Sequence, residues 1–156
     1  MDPVITQEAR ALQNEVRNLV RRELIPNEYQ IEETGKVPDV VLARMREAGL
    51  FGLTIPETYG GLGLDCLTTS LIIEELGWCH SVYRSLVTNN IGLGSQSLIM
   101  AGTEEQRSHY LPKMASGEII SAFADARALD AHENSAHKLQ FRVTGAQGGT
   151  WRCNMY

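Results

Sequence analysis

The residues able to do chemistry are few and widely spaced. Glu74 and Glu75 are neighbouring carboxylates, and consecutive residues diverge by about 100° around a helix, so the two cannot face one reacting centre as an acid–base pair. They read as a solvated helix face. Cys79–His80 offers a thiolate beside an imidazole, but no second pair stands at metal-ligand spacing. His132 and His137 lie in a polar stretch without helical pattern and receive no chemistry. The run GGLGLD, Gly60–Asp65, invites a phosphate-loop reading. It lacks the third glycine of GxGxxG and the Lys–Ser/Thr of a P-loop, so a tight turn needing positive φ is expected. Leu86, Asn89, Leu93 and Gln96 recur at steps of three, four and three, beside Gly92, Gly94 and Ser95. Two leucines and two amides on one helix face could line a cavity for an elongated apolar ligand. Spacing alone favours ordinary core packing with tolerated amides over such a cavity, and leaves both open.

The chain of 156 residues is long enough for one domain with its own core, and its formal net charge of -5 provides no basic field for phosphates. Nucleic-acid binding is therefore disfavoured. Cys66, Cys79 and Cys153 form no CxxC pair and read as free thiols of a reducing compartment. The N-terminus, MDPVITQEARALQNEVRN, is acidic and amphipathic rather than a basic stretch followed by an apolar run. No apolar run approaches the roughly 20 residues that span a bilayer. A cytoplasmic location is the expectation, with no metal, nucleic acid or membrane among the partners.

The elements that hold these residues follow from periodicity and punctuation. Ile5, Ala9, Leu12, Val16 and Leu19 mark one face of a helix over 4–25, with Asp2–Pro3 as cap and first turn and Pro26 as its end. Residues 27–37 read as polar connection. A second helix runs from Pro38 through VVLARMREA with Val41, Leu42, Met45 and Ala48 inward, and Gly49 is placed to close it. LFGLTIP predicts a short extended segment, because Pro56 restrains Ile55 from helix. Residues 67–77 form a third helix. Ser81 can cap a long fourth helix reaching Met100, whose glycines and serines allow close approach by another backbone or a ligand. Thr103 with Gln106 reads as a capping box opening a fifth helix, EEQRSHYL; Pro112 then starts a short turn that Gly117 closes. A strand begins only at Glu118. The fold class is mainly α: a helical bundle with a short β segment and an irregular C-terminal tail.

Three phrases, GLFGLTIPETYGGLGLD, SLIIEELG and AGTEEQRSHYLPKMASGEIISAFA, stand in one order along the chain. Together they resemble the N-terminal helical domain of the FAD-dependent acyl-CoA dehydrogenases, over about residues 3–124. The resemblance implies an N-terminal helical domain, a middle β-domain and a C-terminal four-helix bundle, commonly in a homotetramer. It also implies the reaction: a glutamate base takes the α proton of an acyl-CoA thioester and the β hydrogen passes as hydride to FAD. By the same resemblance the fourth helix flanks the acyl chain, which makes Leu86, Asn89, Leu93 and Gln96 candidates for the substrate wall. Glu118–Ala124 matches the strand leading to the flavin segment, which puts Phe123 and Ala124 at the cofactor's edge. Family members continue with a segment resembling T-E-P-x-x-G-S-D; here Asp125–Asp130 read DARALD. The domain expectation is 1–117 helical, 118–124 the first strand of an incomplete β-domain and 125–156 a divergent tail. No catalytic residue is assigned, because the resemblance places the glutamate base in a part this sequence lacks. The expected polypeptide is a truncated acyl-CoA dehydrogenase, inactive alone; the alternatives are a non-enzymatic helical interaction module or a frameshift remnant.

Overall fold

A computed structural model of the chain describes residues 5–124 and 140–145, with 122–124 and 140–145 as backbone only. Helix α1, Gln7–Leu19, starts where the Thr6 hydroxyl accepts from the Ala9 amide at 3.1 Å. The expected cap at Asp2–Pro3 lies outside the described residues. Ala9, Val16, Val20 and Leu24 are buried along one face, the last two in a π-helical turn, Val20–Leu24, that continues α1. Pro26 sits in a short 3-10 turn rather than at an open end, and the expected polar connection contains a helix, α2, Glu28–Thr34. Only Ile31 of α2 is buried, too little for periodicity to register. Tertiary bonds hold it instead: the His80 amide donates to the Glu28 carboxylate, and the His80 ring meets Glu32 at 3.0 Å.

Helix α3, Asp39–Glu47, buries Val41 and Met45 and is followed by Gly49 at φ 68°. Ala48, expected inward, is exposed because the helix ends before it. The stretch expected to be extended is a 3-10 turn, Leu50–Gly52, and residues 61–64 fold back onto it. The amides of Leu62, Gly63 and Leu64 donate to Gly52, Ile55 and Leu53 at 2.8–2.9 Å. Leu50, Phe51, Leu53 and Ile55 are all buried, and a compact loop buries them better than a lone strand with no partner. Gly61 makes the fold-back possible, since a Cβ there would stand 2.1 Å from the Ile55 carbonyl oxygen.

Helix α4, Cys66–Leu76, is capped by the Asp65 carboxylate and buries Leu71, Ile72 and Leu76. Glu75, expected with Glu74 on a solvated face, is buried; Glu74 is exposed. Arg17 grips Glu75 with two nitrogens at 2.7 and 3.0 Å, and Gln13 donates to it at 2.9 Å. These hydrogen bonds to Arg17, outweighing the desolvation, hold the Glu75 carboxyl below its ordinary range.

The fourth helix is continuous but not uniform: α5, Ser81–Thr88, a π-helical stretch, Asn89–Gly94, and α6, Ser95–Ala101. His80, not Ser81, caps it, its ring nitrogen accepting from the Val82 amide at 3.3 Å. Helix α7, Glu104–Ala115, opens on the expected Thr103/Gln106 capping box. It runs through Pro112 instead of stopping there, because Leu111, Met114 and Ala115 are buried on both sides of the proline. Gly117, at φ 72°, then turns the chain into strand β1, Ile119–Ala124. Strand β2, Gln140–Gly145, pairs antiparallel with β1, from Ile119 opposite Gly145 to Ala124 opposite Gln140. The fold is thus a mainly α-helical bundle with a short β segment, and part of the tail joins that segment.

The buried side chains form two groups. The larger gathers α1, α3, the 50–53 turn, α4 and α5 around Phe51, Met45, Leu76 and Tyr83. The smaller gathers Ile55, Leu111, Met114 and Ala115. Asn90, fully buried, lies between them: its Nδ2 donates to the Phe51 and Met114 carbonyls at 2.9 and 3.0 Å, and its Oδ1 accepts from the Ser121 amide at 3.1 Å.

Two outcomes follow. Replacing Asn90 by alanine strands the buried Phe51 carbonyl and Ser121 amide and takes one donor from the Met114 carbonyl, which should cost about 3 kcal/mol in urea denaturation; a loss below about 1 kcal/mol contradicts the assignment. Because the Glu75 pKa is depressed in the fold, its contribution is whole above the ordinary glutamate range, about 4.3, and fades as pH falls through the folded value. The wild-type Tm should therefore drop more steeply than that of Glu75→Gln between about pH 5 and 3, and parallel curves would contradict this.

Candidate functional site

Position along the fourth helix decides what each predicted wall residue meets. At an α-helical pitch Leu86, Asn89, Leu93 and Gln96 share a face. The π-helical stretch turns through a smaller angle per residue, so it fans them apart. Leu86 packs partly buried against the larger core. Asn89 is half-buried, and its carbonyl accepts from the Ser121 hydroxyl at 3.2 Å. Leu93 is 46% exposed. Gln96 is half-buried and points its amide nitrogen at Thr54 Oγ1, 3.4 Å away.

A π-helical turn upsets the regular backbone bonding, and side chains here take up its carbonyls. Ile91 O accepts from both Thr54 Oγ1 at 2.8 Å and Ser95 Oγ at 2.9 Å. The same turn brings Asn90 inward and sets Gly94 against β1, where a Cβ would stand 1.9 Å from Ser121 Oγ. The close approach expected of the small residues is thus realised at Gly94, by the strand. Gly92, exposed, has open space where a Cβ would be. Phe123 and Ala124 stand on β1 opposite Phe141 and Gln140.

Gln96 opens onto a groove of about 450 Å³ that Thr54, Leu64, Cys66, Thr69, Ser70 and Ile73 complete. Sequence reading missed the α4 side of this groove. Its signal was present: Cys66, Thr69, Ser70 and Ile73 follow one another at helical spacing on the face away from Leu71, Ile72 and Leu76. Thr54 carried no signal, since its position depends on the 50–64 loop folding back.

The other candidates have settled structural roles. In the Gly60–Asp65 run, Gly60 and Gly63 adopt φ 78° and 56°, and the amides of residues 60–64 all donate to nearby carbonyls. None of these amides is left to cradle a phosphate. Burial and the neighbouring Glu28 push the Cys79 thiol up to about 11, which makes it a poor nucleophile. His80 is occupied as a cap and as the partner of Glu32. His132, His137 and Cys153 lie outside the described residues, among which no group of three His, Cys, Asp or Glu could hold a metal. No helix among them is long and apolar enough to cross a membrane. The amides of residues 60–64 and the Ser121 amide and hydroxyl are committed to bonds within the fold.

Comparison with known proteins gives this geometry a family. The model of the acyl-CoA dehydrogenase N-terminal domain matches residues 6–118. An acyl-CoA dehydrogenase of Bacillus subtilis (strain 168) is 32% identical over 120 residues, covering 77% of this chain and 32% of that protein. A glutaryl-CoA dehydrogenase in complex with glutaryl-CoA superposes with a TM-score of 0.74 at 30% identity, over 84% of this chain and 34% of that one. The glutaryl-CoA dehydrogenase of Mycobacterium smegmatis in complex with FADH2 gives 0.69 at 28% identity, over 74% and 30%. The chain spans about a third of the length of each of these proteins. The chain belongs to the acyl-CoA dehydrogenase family, and its described helices are the N-terminal domain of that family.

Proposed function

We propose that this chain supplies the substrate-side wall of an FAD-dependent acyl-CoA dehydrogenase, an oxidoreductase that takes one hydrogen from each of Cα and Cβ of an acyl-CoA thioester. The observation that carries the reading is the family match over residues 6–118, which includes the whole of the 86–96 segment. On that segment the exposed Leu93 and partly buried Leu86 offer apolar contact to an acyl chain. Asn89 and Gln96 offer side-chain amides at its polar points. The solved relative that holds glutaryl-CoA supports acyl-CoA as the ligand class.

FAD is the cofactor of the proposed activity, and bound flavin would accept the β hydrogen as hydride. Residues 125–130 read DARALD where the family carries Thr–Glu–Pro. The 156-residue polypeptide is therefore proposed to bind the acyl group without holding flavin or turning substrate over by itself. Phe123 and Ala124 remain its proposed nearest approach to the cofactor.

Titrating isotope-labelled chain with octanoyl-CoA should shift the backbone amides of residues 86–96 in a saturable way, while free CoA leaves them in place. The purified chain should show no visible flavin spectrum and no acyl-CoA-dependent dye reduction. Shifts confined to other segments, or none, contradict the wall; bound flavin with dye reduction contradicts the division of labour.

A further inference from the structure

The groove at Gln96 has hydrogen-bonding capacity that the fold leaves unused. Thr54 Oγ1 donates to Ile91 O and accepts the long bond from Gln96 Nε2, and Ser70 Oγ donates to Cys66 O at 2.7 Å. Two groups are left over. The Gln96 carbonyl oxygen accepts no hydrogen bond among the described residues, and Thr69 buries its Oγ1 with no partner among them. Both residues line the same groove, together with the aliphatic side chains of Leu64 and Ile73. A buried hydroxyl is rarely left unpaired, so Thr69 together with the free acceptor of half-exposed Gln96 and the apolar walls is what a site for a mostly apolar ligand with one polar point presents.

We infer that this groove takes the far end of an acyl chain that carries a hydroxyl group. The inference rests on the acyl-CoA reading above and adds the substrate class. A hydroxyl is the functional group that fits both leftovers: it donates to the Gln96 carbonyl oxygen and accepts from the Thr69 hydroxyl. Threonine populates two side-chain rotamers in helices, so the Thr69 hydroxyl can turn into the groove without moving α4. Leu64 and Ile73 cover the methylene groups on either side. A plain hydrocarbon end would fill the same space and leave both polar groups unmatched. Sites built around a hydroxyl reject analogues that lack it for this reason.

Cys66, exposed and lining the groove, reports its occupancy. Alkylation of Cys66 by iodoacetamide, read on the Cys66 peptide by mass spectrometry, is followed with octanoyl-CoA and with 8-hydroxyoctanoyl-CoA as probes. Both should slow the modification, the hydroxylated probe at about tenfold lower concentration. Thr69→Val should abolish that advantage and preserve protection by octanoyl-CoA, with an unchanged circular dichroism melt showing that the variant folds. Equal protection by the two probes, or an advantage that survives Thr69→Val, overturns the inference. Absence of protection by either probe also overturns it, and if octanoyl-CoA still shifts the amides of 86–96 the acyl-CoA reading stands without it.

Discussion

The buried amide of Asn90 is the constraint on which the rest of the structure depends. It satisfies two carbonyls and one amide from three separate segments: the 50–52 turn, the end of α7 and the start of β1. The Phe51 carbonyl and the Ser121 amide each lose a buried partner without it, and the Met114 carbonyl keeps only the Gly117 amide at the end of α7. The π-helical stretch that brings Asn90 inward also sets Gly94 against Ser121, so helix and strand meet with no room for a larger residue. The strand that enters the β segment is thus registered on the helix that carries the candidate wall. A displacement of one must displace the other, which is how a helical domain can hold its substrate face in a fixed relation to the next layer of the fold.

Where sequence and structure agree, the signal was local. The α1 stripe, the Gly49 and Gly117 turns and the Thr103/Gln106 capping box depend on neighbours within a few residues, and the chain states them directly. Where they diverge, the deciding partner is distant. Glu75 looks like its exposed neighbour until Arg17, 58 residues earlier, folds onto it. Helix α2 has one core residue and depends on His80. Pro112 reads as a breaker, and the packing of Leu111 and Met114 overrides it. The candidate site was legible to the same degree. The segment 86–96 could be picked out by its composition, but nothing in Asn-Asn-Ile-Gly-Leu-Gly distinguishes a π-helical from an α-helical path. That change of pitch separates Gln96 from Leu86 and gives it Thr54 and the α4 face as neighbours.

The helical domain therefore presents two surfaces with different chemistry. The exposed side of the π-helical stretch, with Gly92 and Leu93, is open and apolar. The groove beyond it is bounded by α4 and the 50–64 loop, and its polarity comes from two threonines, a serine and a glutamine rather than from ionised groups. Neutral hydrogen-bonding groups beside aliphatic walls discriminate by the presence or absence of a partner, with little dependence on salt.

The most direct test of the account is amide hydrogen exchange at Ser121 in the wild type and in Asn90→Ala. If one side chain joins helix, turn and strand, the wild-type Ser121 amide exchanges as slowly as the core of α4. In the variant it should exchange about 100-fold faster together with residues 119–121, with α1 and α4 slow in both. An unchanged Ser121, or an equal acceleration across every helix, would contradict the central role given to Asn90.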